Sequence, residues 1–163
     1  MVIRIFQVRR FTKDDQDNAK RLMEQLCRVT GVPFNEKRWK WGVKMRLYDA
    51  LRKNGMLVAE AQDTKKLAGM VFADISIDPV GSSTGYIRSV VVDEIFRGQG
   101  VGKFLIQEAI RYLNEMNVDQ ILINVRNRTE RAKQLYEKMG FKEAYTVMRF
   151  GTQGSGESDL EDL

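Results

Sequence analysis

The sequence contains no histidine, one cysteine and two prolines in 163 residues. Without histidine the chain cannot form a Ser-His-Asp or Cys-His catalytic group, a histidine zinc site or a histidine general base. The lone Cys27 can form neither an intramolecular disulfide nor a thiolate metal cluster. Proton transfer by this chain must therefore use Asp, Glu, Lys, Tyr or water, and we expect no metal site.

The chain also lacks a long apolar run. No stretch approaches the ~18 apolar residues that a membrane span requires, and residues 1–6 do not show the basic, apolar and small-residue order of a secretory signal. We therefore expect a cytoplasmic protein that does not associate with membranes. The composition, with 43% hydrophobic and 30% charged residues, is that of a globular protein, and the length predicts one domain over residues 1–150.

Residues 151–163 differ in composition from the rest of the chain. They begin with a Gly- and Ser-rich stretch, carry four acids and no base, and are predicted to form a disordered acidic tail. Residues 1–150 therefore contain 27 basic and 18 acidic residues, a net charge of +9, which suits an anionic ligand. Nucleic acid is one candidate, but the basic residues are scattered over several predicted helices without interleaved aromatics, so solvated helix surfaces explain them better.

Apolar periodicity and turn residues predict the α+β class, in the order strand, two helices, three strands, helix, strand, helix, strand. Thr12 with Asp15 forms a capping signature before the first helix, Gly31 ends it, and Asn35 caps the second helix. The second helix is expected to continue to the Asn54-Gly55 pair. The run Val90–Val92 does not alternate, which predicts burial on both faces. The predicted strands are 2–8, 56–61, 67–77, 86–92, 121–123 and 141–150.

A glycine-rich segment, Arg97–Lys103, follows the strand that ends in this valine run and precedes an amphipathic helix. Backbone amides at such a turn, together with the positive end of the helix dipole, can bind a diphosphate, and the two flanking cations add charge. The segment does not fit the P-loop, because three rather than four residues separate its first Gly from Gly-Lys and Phe104 follows the lysine. It does not fit the dinucleotide fingerprint either. A turn without a ligand remains the alternative.

The pattern that does fit is Q/R-x-x-G-x-G/A, here Arg97-x-x-Gly100-x-Gly102. Downstream, Leu135–Phe141 reads Leu-Tyr-Glu-Lys-Met-Gly-Phe. With both motifs in this order, the chain resembles the GNAT superfamily of acyl-coenzyme A-dependent N-acetyltransferases over about residues 1–150. The resemblance implies a GNAT-like fold, in which a mixed central β-sheet has helices on both faces.

The resemblance also implies where acetyl-CoA binds as co-substrate. In similar proteins the pantetheine pairs with the backbone of the fourth strand, as an added strand would, and the diphosphate binds the amides of the glycine turn. The contacts that it assigns here are Val90, Val91, Val92, Arg97, Gly98, Gln99, Gly100, Val101, Gly102, Lys103, Asn127, Thr129 and Tyr136. The family often has Asn where this chain has Thr129, so Asn127 and the Thr129 hydroxyl are both candidates for that contact. Thr129 is alternatively a helix N-cap, and the valines are alternatively core residues alone.

Tyr136 is the general acid that the resemblance implies, with core packing as the alternative. An amine that attacks a thioester expels a thiolate, and a phenol with a reference pKa near ~10 can protonate the sulfur while staying neutral at pH 7. Many similar proteins place a glutamate base on the fourth strand, but this strand carries Arg88 in that stretch and no acid. Glu60 and Asp74, on neighbouring strands, are therefore the candidate bases, acting through water.

The function implied is transfer of an acetyl group to a primary amine. Because no carboxylate stands at the usual position, the sequence favours a protein or peptide N-terminus, whose α-amine has a pKa near ~7.8, over a lysine or small-molecule amine. A non-catalytic acyl-CoA-binding module is the alternative from another class. We expect a monomer or homodimer. The aromatic candidates for the acceptor rim are Phe34, Trp39, Trp41 and Tyr145, with core packing as the alternative for all four.

Overall fold

The computed structural model describes residues 5–125 and 130–151. The chain divides into two compact units, Met1–Val125 and Arg126–Leu163, and each is described by itself. The predicted contacts at Asn127 and Thr129, the start of the predicted first strand and residues 152–163 of the predicted acidic tail lie outside the described residues. None of the described helices is long and apolar enough to cross a membrane.

The first unit is a five-stranded sheet with three helices. In chain order its elements are β1 (Phe6–Arg10), α1 (Gln16–Thr30), α2 (Glu36–Tyr48), β2 (Met56–Ala61), β3 (Leu67–Ile77), β4 (Ser83–Val92), α3 (Val101–Glu115) and β5 (Gln120–Ile123). The strands lie side by side in that order; β1 to β4 are antiparallel, and β4 and β5 are parallel. The second unit contains α4 (Glu130–Lys138).

Helices cover both faces of this sheet. On one face, Leu22 of α1 and Val43 of α2 pack in one core cluster with Met70 and Phe72 of β3. On the other face α3 lies so close that a Cβ added at Gly85 would stand 2.8 Å from Leu113. The predicted α+β class, with a mixed sheet between helices, is confirmed.

The helix boundaries follow the predicted local signals with one exception. The Asp15 carboxylate accepts from the Thr12 amide at 2.8 Å, the Asn35 side chain accepts from the Arg38 amide at 3.0 Å, and Gly31 ends α1 with φ of 72°. The second helix, however, ends at Tyr48 rather than near residue 54. The Asp49 carboxylate accepts the Leu51 amide at 2.8 Å, a local bond that competes with continuation of the helix.

The strand predicted over residues 141–150 is wrong: the structure assigns no strand there. The segment is rich in aromatic and β-branched residues, as strands are, but a strand exists only where a neighbouring strand completes its hydrogen bonds. Val147, Met148 and Phe150 are 72%, 90% and 91% exposed, so no buried face holds this segment in register. Among the other strands, β2 and β3 have the predicted bounds, while β4 begins at Ser83 rather than Tyr86.

Candidate coenzyme site

The strand β4 has an open edge at its carboxyl end. It pairs with β5 only from Thr84 to Ile87, whereas its pairing with β3 continues to Val92. In the described part of the chain, residues 88–92 therefore present one edge with no strand beside it. An exposed strand edge can pair with the amide groups of an extended ligand.

A β-bulge lies at the start of this open edge. Val91 faces Met70 and Arg88 faces Phe72, so Ser89 and Val90 together face a single β3 residue. Ser89 takes a left-handed φ of 54°. The extra residue shifts the side chains that follow it, and in the valine run burial then alternates. The prediction that this run is buried on both faces is wrong for two of its three residues. Val91 is buried, but Val90 and Val92 are half-buried.

The peptide groups of Val92 face the open side. The Asp93 amide donates to the Ala68 carbonyl of β3 at 2.8 Å, and successive strand residues direct their backbone groups to opposite sides, so Val92 directs its own away from β3. The Arg97 side chain donates from Nε to the Val92 carbonyl at 3.2 Å. This bond ties the first residue of the glycine turn to the end of the open edge.

The segment before the turn is firmly anchored. Asp93 caps a 3-10 turn by accepting from the Ile95 amide at 3.1 Å and forms an ion pair with Arg21 of α1. Phe96 is buried, and its ring meets that of Phe6 edge-on at 5.8 Å between centroids. The glycine turn therefore leaves the sheet from a fixed point.

The turn itself exposes backbone amides. Gly98 and Gly100 have φ of 78° and 80°, and a Cβ added at either would meet no atom within 4 Å. The first hydrogen bond of α3 runs from the Phe104 amide to the Gly100 carbonyl at 3.0 Å, so the amides of residues 101–103 have no acceptor within the helix. Free amides at the positive end of a 15-residue helix, beside the exposed Arg97 and Lys103, can bind a diphosphate.

Gly69 of β3 supports the candidate site from behind, and the sequence analysis missed it. It faces Val92 across the sheet, and a Cβ there would stand 2.6 Å from the Val91 carbonyl oxygen and 2.9 Å from Leu105. Its absence of a side chain lets the amino end of α3 pack directly against the sheet behind the turn. The available signal was a glycine inside an otherwise apolar strand.

Asp74, one candidate base, is buried in an ion-paired cluster. Arg46 of α2 donates to both carboxylate oxygens, to Oδ2 at 3.0 Å, and Arg88 of β4 approaches Oδ2 with Nε at 3.4 Å. The Arg46 guanidinium also lies 4.8 Å above the centre of the Phe72 ring. The sequence analysis noted Arg88 only as a residue replacing an acid and missed Arg46, because no local pattern links residues 28 positions apart.

Glu60, the other candidate base, lies elsewhere on the sheet. Its Oε2 accepts from Arg9 at 3.0 Å, and its Oε1 is 3.9 Å from Lys65. It faces Leu67 of β3, seven residues and roughly 23 Å from Asp74 along that strand. The structure therefore does not bring the two carboxylates together: Asp74 lies beside the start of the open edge, and Glu60 near the end that leads into the turn.

Tyr136 belongs to the second unit. Its ring is half-buried in α4 and meets the Phe141 ring at 6.0 Å between centroids, with 64° between the planes. Gly140, with φ of 100°, turns the chain after α4, and the Phe141 amide donates to the Tyr136 carbonyl at 3.0 Å. Burial raises the pKa of Tyr136 above its ordinary value, so the phenol stays protonated at neutral pH.

Two of the four predicted rim aromatics are exposed. Trp41 and Tyr145 are 66% and 62% exposed, and Phe34 is half-buried against the core cluster. For Trp39 the core alternative holds, because it is buried and stacks on Phe72 with ring centroids 6.5 Å apart. Its indole N–H donates to the Gln16 carbonyl at 3.3 Å, which holds it between the two helices.

Solved structures of acetyltransferases have the same fold as this chain. Aminoglycoside N-acetyltransferase AAC(6')-Iy in complex with CoA superimposes with a TM-score of 0.78, with 18% identity, over 92% of this chain and 96% of that one. The model of the acetyltransferase (GNAT) family matches residues 20–141. The chain therefore belongs to the GNAT acetyltransferase family, whose enzymes use acetyl-CoA as co-substrate.

Two curated relatives show the range of similarity. N-alpha-acetyltransferase 30 of Dictyostelium discoideum is 35% identical over 71 residues, which cover 44% of this chain and 38% of that protein. The uncharacterized N-acetyltransferase MJ1207 of Methanocaldococcus jannaschii is 28% identical over 152 residues, covering 90% of this chain and 65% of that protein. The chain thus spans less than two thirds of either relative.

Proposed function

We propose that this protein transfers the acetyl group of acetyl-CoA to a primary amine, with the α-amine of a peptide or protein N-terminus as the favoured acceptor. The observation that carries the proposal is the junction of the open β4 edge with the free amides of α3. At this junction, Val92 can pair with the amides of an extended ligand, and residues 98–103 can bind the diphosphate of the same ligand. Membership of the GNAT family supports acetyl-CoA as that ligand.

The reaction we propose is direct attack. The neutral amine nitrogen forms a bond to the acetyl carbon, the carbon–sulfur bond breaks, and the coenzyme leaves as a thiolate. Tyr136 gives its phenolic proton to this sulfur. The raised pKa of Tyr136 supports the role, because a general acid must carry its proton at the working pH.

The nitrogen must also lose a proton, and we assign its removal to water beside Asp74. Asp74 lies next to the start of the open edge, whereas Glu60 lies toward the turn. Both oxygens of Asp74 are engaged by Arg46, so the carboxylate orients water more readily than it accepts a proton itself. The acceptor amine therefore has to arrive largely deprotonated.

This requirement favours an α-amine. At pH 7 a group with a pKa near ~7.8 is neutral in about one molecule in seven, and a lysine amine with a pKa near ~10.4 in about one in 2,500. The similarity to an N-alpha-acetyltransferase over 71 residues supports the same choice. Lysine and small-molecule amines remain the alternatives, as does an acyl-CoA-binding module that does not turn over.

One experiment separates these functions. The protein is incubated with acetyl-CoA and a peptide that has both a free N-terminus and an internal lysine, and the acetylated position is read by mass spectrometry. Free CoA is measured in parallel with polyamines, aminoglycosides and free amino acids. Acetyl on the N-terminus supports the proposal, acetyl on the lysine alone overturns the choice of acceptor, and binding of acetyl-CoA without CoA release from any amine indicates the module.

A further inference from the structure

A cluster of charged side chains lies at the start of the open β4 edge, on the face of the sheet covered by α1 and α2. It consists of Asp74, 7% exposed, with Arg46 and Arg88 on either side. Two guanidinium groups face one carboxylate, so the cluster carries a net charge of +1. A buried carboxylate needs only one bidentate arginine, and Arg46 already supplies that pairing.

Arg88 is the member of this cluster that has unused hydrogen-bond donors. Its Nε lies 3.4 Å from Asp74, its guanidinium carbon lies 4.7 Å above the Tyr86 ring, and its side chain is 44% exposed. Within residues 5–125 and 130–151, neither of its terminal nitrogens is seen to donate a hydrogen bond. The guanidinium is thus held between an aromatic ring and a carboxylate, with its outer N–H groups available to a ligand.

Arg88 also lies at the end of the β4 edge where the proposed coenzyme position places the thioester. If the diphosphate binds at residues 98–103 and the pantetheine runs along the β4 edge from Val92, the thioester end lies toward Arg88, the first residue of that edge. We propose that Arg88 binds an anionic group, a carboxylate or a phosphate, on the amine acceptor. This inference rests on the proposed function, because the proposed position of acetyl-CoA is what places its thioester end toward Arg88.

The charge of the cluster acts on the acceptor in two ways. Its positive charge disfavours the ammonium form of a nearby amine and so assists deprotonation where no carboxylate is free to take the proton. The same charge attracts an acceptor that carries an anionic group beside its amine. Arg88 is therefore expected to determine specificity through acceptor binding, and its effect should appear in KM more than in kcat.

The test compares acceptors that differ by one charge. Peptides with a free N-terminus carry either Glu or Gln at the second, third or fourth position, and glucosamine 6-phosphate is compared with glucosamine. For at least one pair we expect kcat/KM at low salt to favour the anionic acceptor by about tenfold, the scale of one charge-assisted hydrogen bond. A preference in the peptide pair identifies a carboxylate ligand, and a preference in the sugar pair identifies a phosphate.

Three variants assign the preference to its residue. Arg88→Gln should remove it, Arg88→Lys should keep part of it, and Arg111→Gln, which deletes an exposed charge on α3 over the opposite face, should leave it unchanged. Equal melting temperatures and equal stabilisation by CoA would show that Arg88→Gln is folded. The inference is overturned if wild type uses both members of every pair equally, or if Arg88→Gln keeps the full preference.

A binding measurement keeps this inference separate from the proposed function. Fluorescently labelled Glu and Gln peptides are titrated with CoA-saturated protein, and anisotropy reports their affinities. If no amine is acetylated but the Glu peptide binds more tightly to wild type and not to Arg88→Gln, the proposed function fails and the anion site stands. If acetylation occurs without any charge preference in rate or affinity, the function stands and the anion site fails.

Discussion

Gly100 is the residue on which we expect coenzyme binding to depend most directly. Its φ of 80° is in the left-handed region, and nothing lies within 4 Å of the position that a Cβ would take. The exposed space beside it is the space that a diphosphate would need in order to reach the amides of residues 101–103. A side chain at this position would occupy that space without disturbing the core.

We expect Gly100→Glu to abolish the thermal stabilisation that acetyl-CoA gives to wild type. A ligand at 100 times its Kd adds about 2.7 kcal/mol to the free energy of unfolding, and the new carboxylate would repel the diphosphate. The control is Gly81→Glu, which places the same side chain at an exposed glycine with φ of 87° in the loop before β4. Equal stabilisation of wild type and Gly100→Glu by acetyl-CoA, measured by differential scanning fluorimetry, would contradict the site.

The phenol of Tyr136 is expected to matter for turnover and not for coenzyme affinity. Tyr136→Phe keeps the ring that packs on Phe141 but removes the proton donor, so kcat should fall by about 10² or more, the usual contribution of a positioned acid. The Kd for acetyl-CoA, measured by calorimetry, should not change. A loss of affinity together with rate would indicate a packing role, and an unchanged rate would show that another group protonates the thiolate.

We expect the same residue to set the alkaline limit of activity. In the proposed mechanism the active form is the protonated phenol, and burial raises the pKa of Tyr136, so the protonated form persists to higher pH than in an exposed tyrosine. We expect kcat of wild type to hold up to roughly pH 10 and to decline only above the ordinary pKa of tyrosine. Tyr136→Phe should lack that decline; an alkaline decline of wild type below pH 9, or one shared by the variant, would argue against the assignment.

The open edge of β4 arises from the lengths of its neighbours. β5 has only four residues, whereas β4 has ten, so the parallel pairing stops at Ile87 and the antiparallel pairing with β3 continues to Val92. The bulge at Ser89 adds local twist at the point where β5 ends. The end of β4 therefore pairs with β3 on one side and is open to a ligand on the other.

Gly69 of β3 lets α3 pack closely on the sheet. We expect Gly69→Ala to destabilise the fold by about 1 to 3 kcal/mol. The added methyl would meet the Val91 carbonyl oxygen at 2.6 Å and push the amino end of α3 outward, weakening acetyl-CoA binding as well. The measurements are urea unfolding and the acetyl-CoA Kd.

Gly42→Ala is the matched control for this substitution. Gly42 lies within α2 with nothing within 4 Å of its Cβ position, so alanine there should stabilise by about 0.5 to 1 kcal/mol through helix propensity. If Gly69→Ala were as stable as Gly42→Ala and bound acetyl-CoA like wild type, the packing explanation would be wrong.

The positive charge of the molecule is concentrated in the part of the chain that contains the candidate coenzyme site. Residues 1–150 carry +9, against +5 for the entire chain, and coenzyme A is an anion. Attraction between solvent-exposed charges weakens as salt shortens the Debye length. We therefore expect the KM for acetyl-CoA to rise several-fold between about 50 and 300 mM salt, as measured by CoA release.

The KM for an uncharged peptide acceptor, measured over the same salt range, is the control and should change much less. A constant KM for acetyl-CoA would show that the net positive charge does not contribute to coenzyme binding. A parallel rise in both KM values would instead indicate a general effect of salt on the protein.

Much of the fold could be read from the sequence because its signals are local. The capping pair Thr12 and Asp15, the cap Asn35 and the helix-ending Gly31 each act on backbone groups within a few residues, and each lies where predicted. The glycine motif at 97–103 is local in the same sense. Its positive φ values and free amides follow from a strand, a tight turn and a helix in succession.

What depended on distant contacts could not be read from the sequence. The segment 141–150 has the aromatic and β-branched residues of a strand, but the pairing that would make it one is absent from the described chain. The early end of α2, the short pairing of β5, and the meeting of Arg46 and Arg88 on Asp74 all depend on which elements lie side by side. Periodicity tells which side of an element is apolar, whereas the register between elements decides which charges meet and which edge stays open.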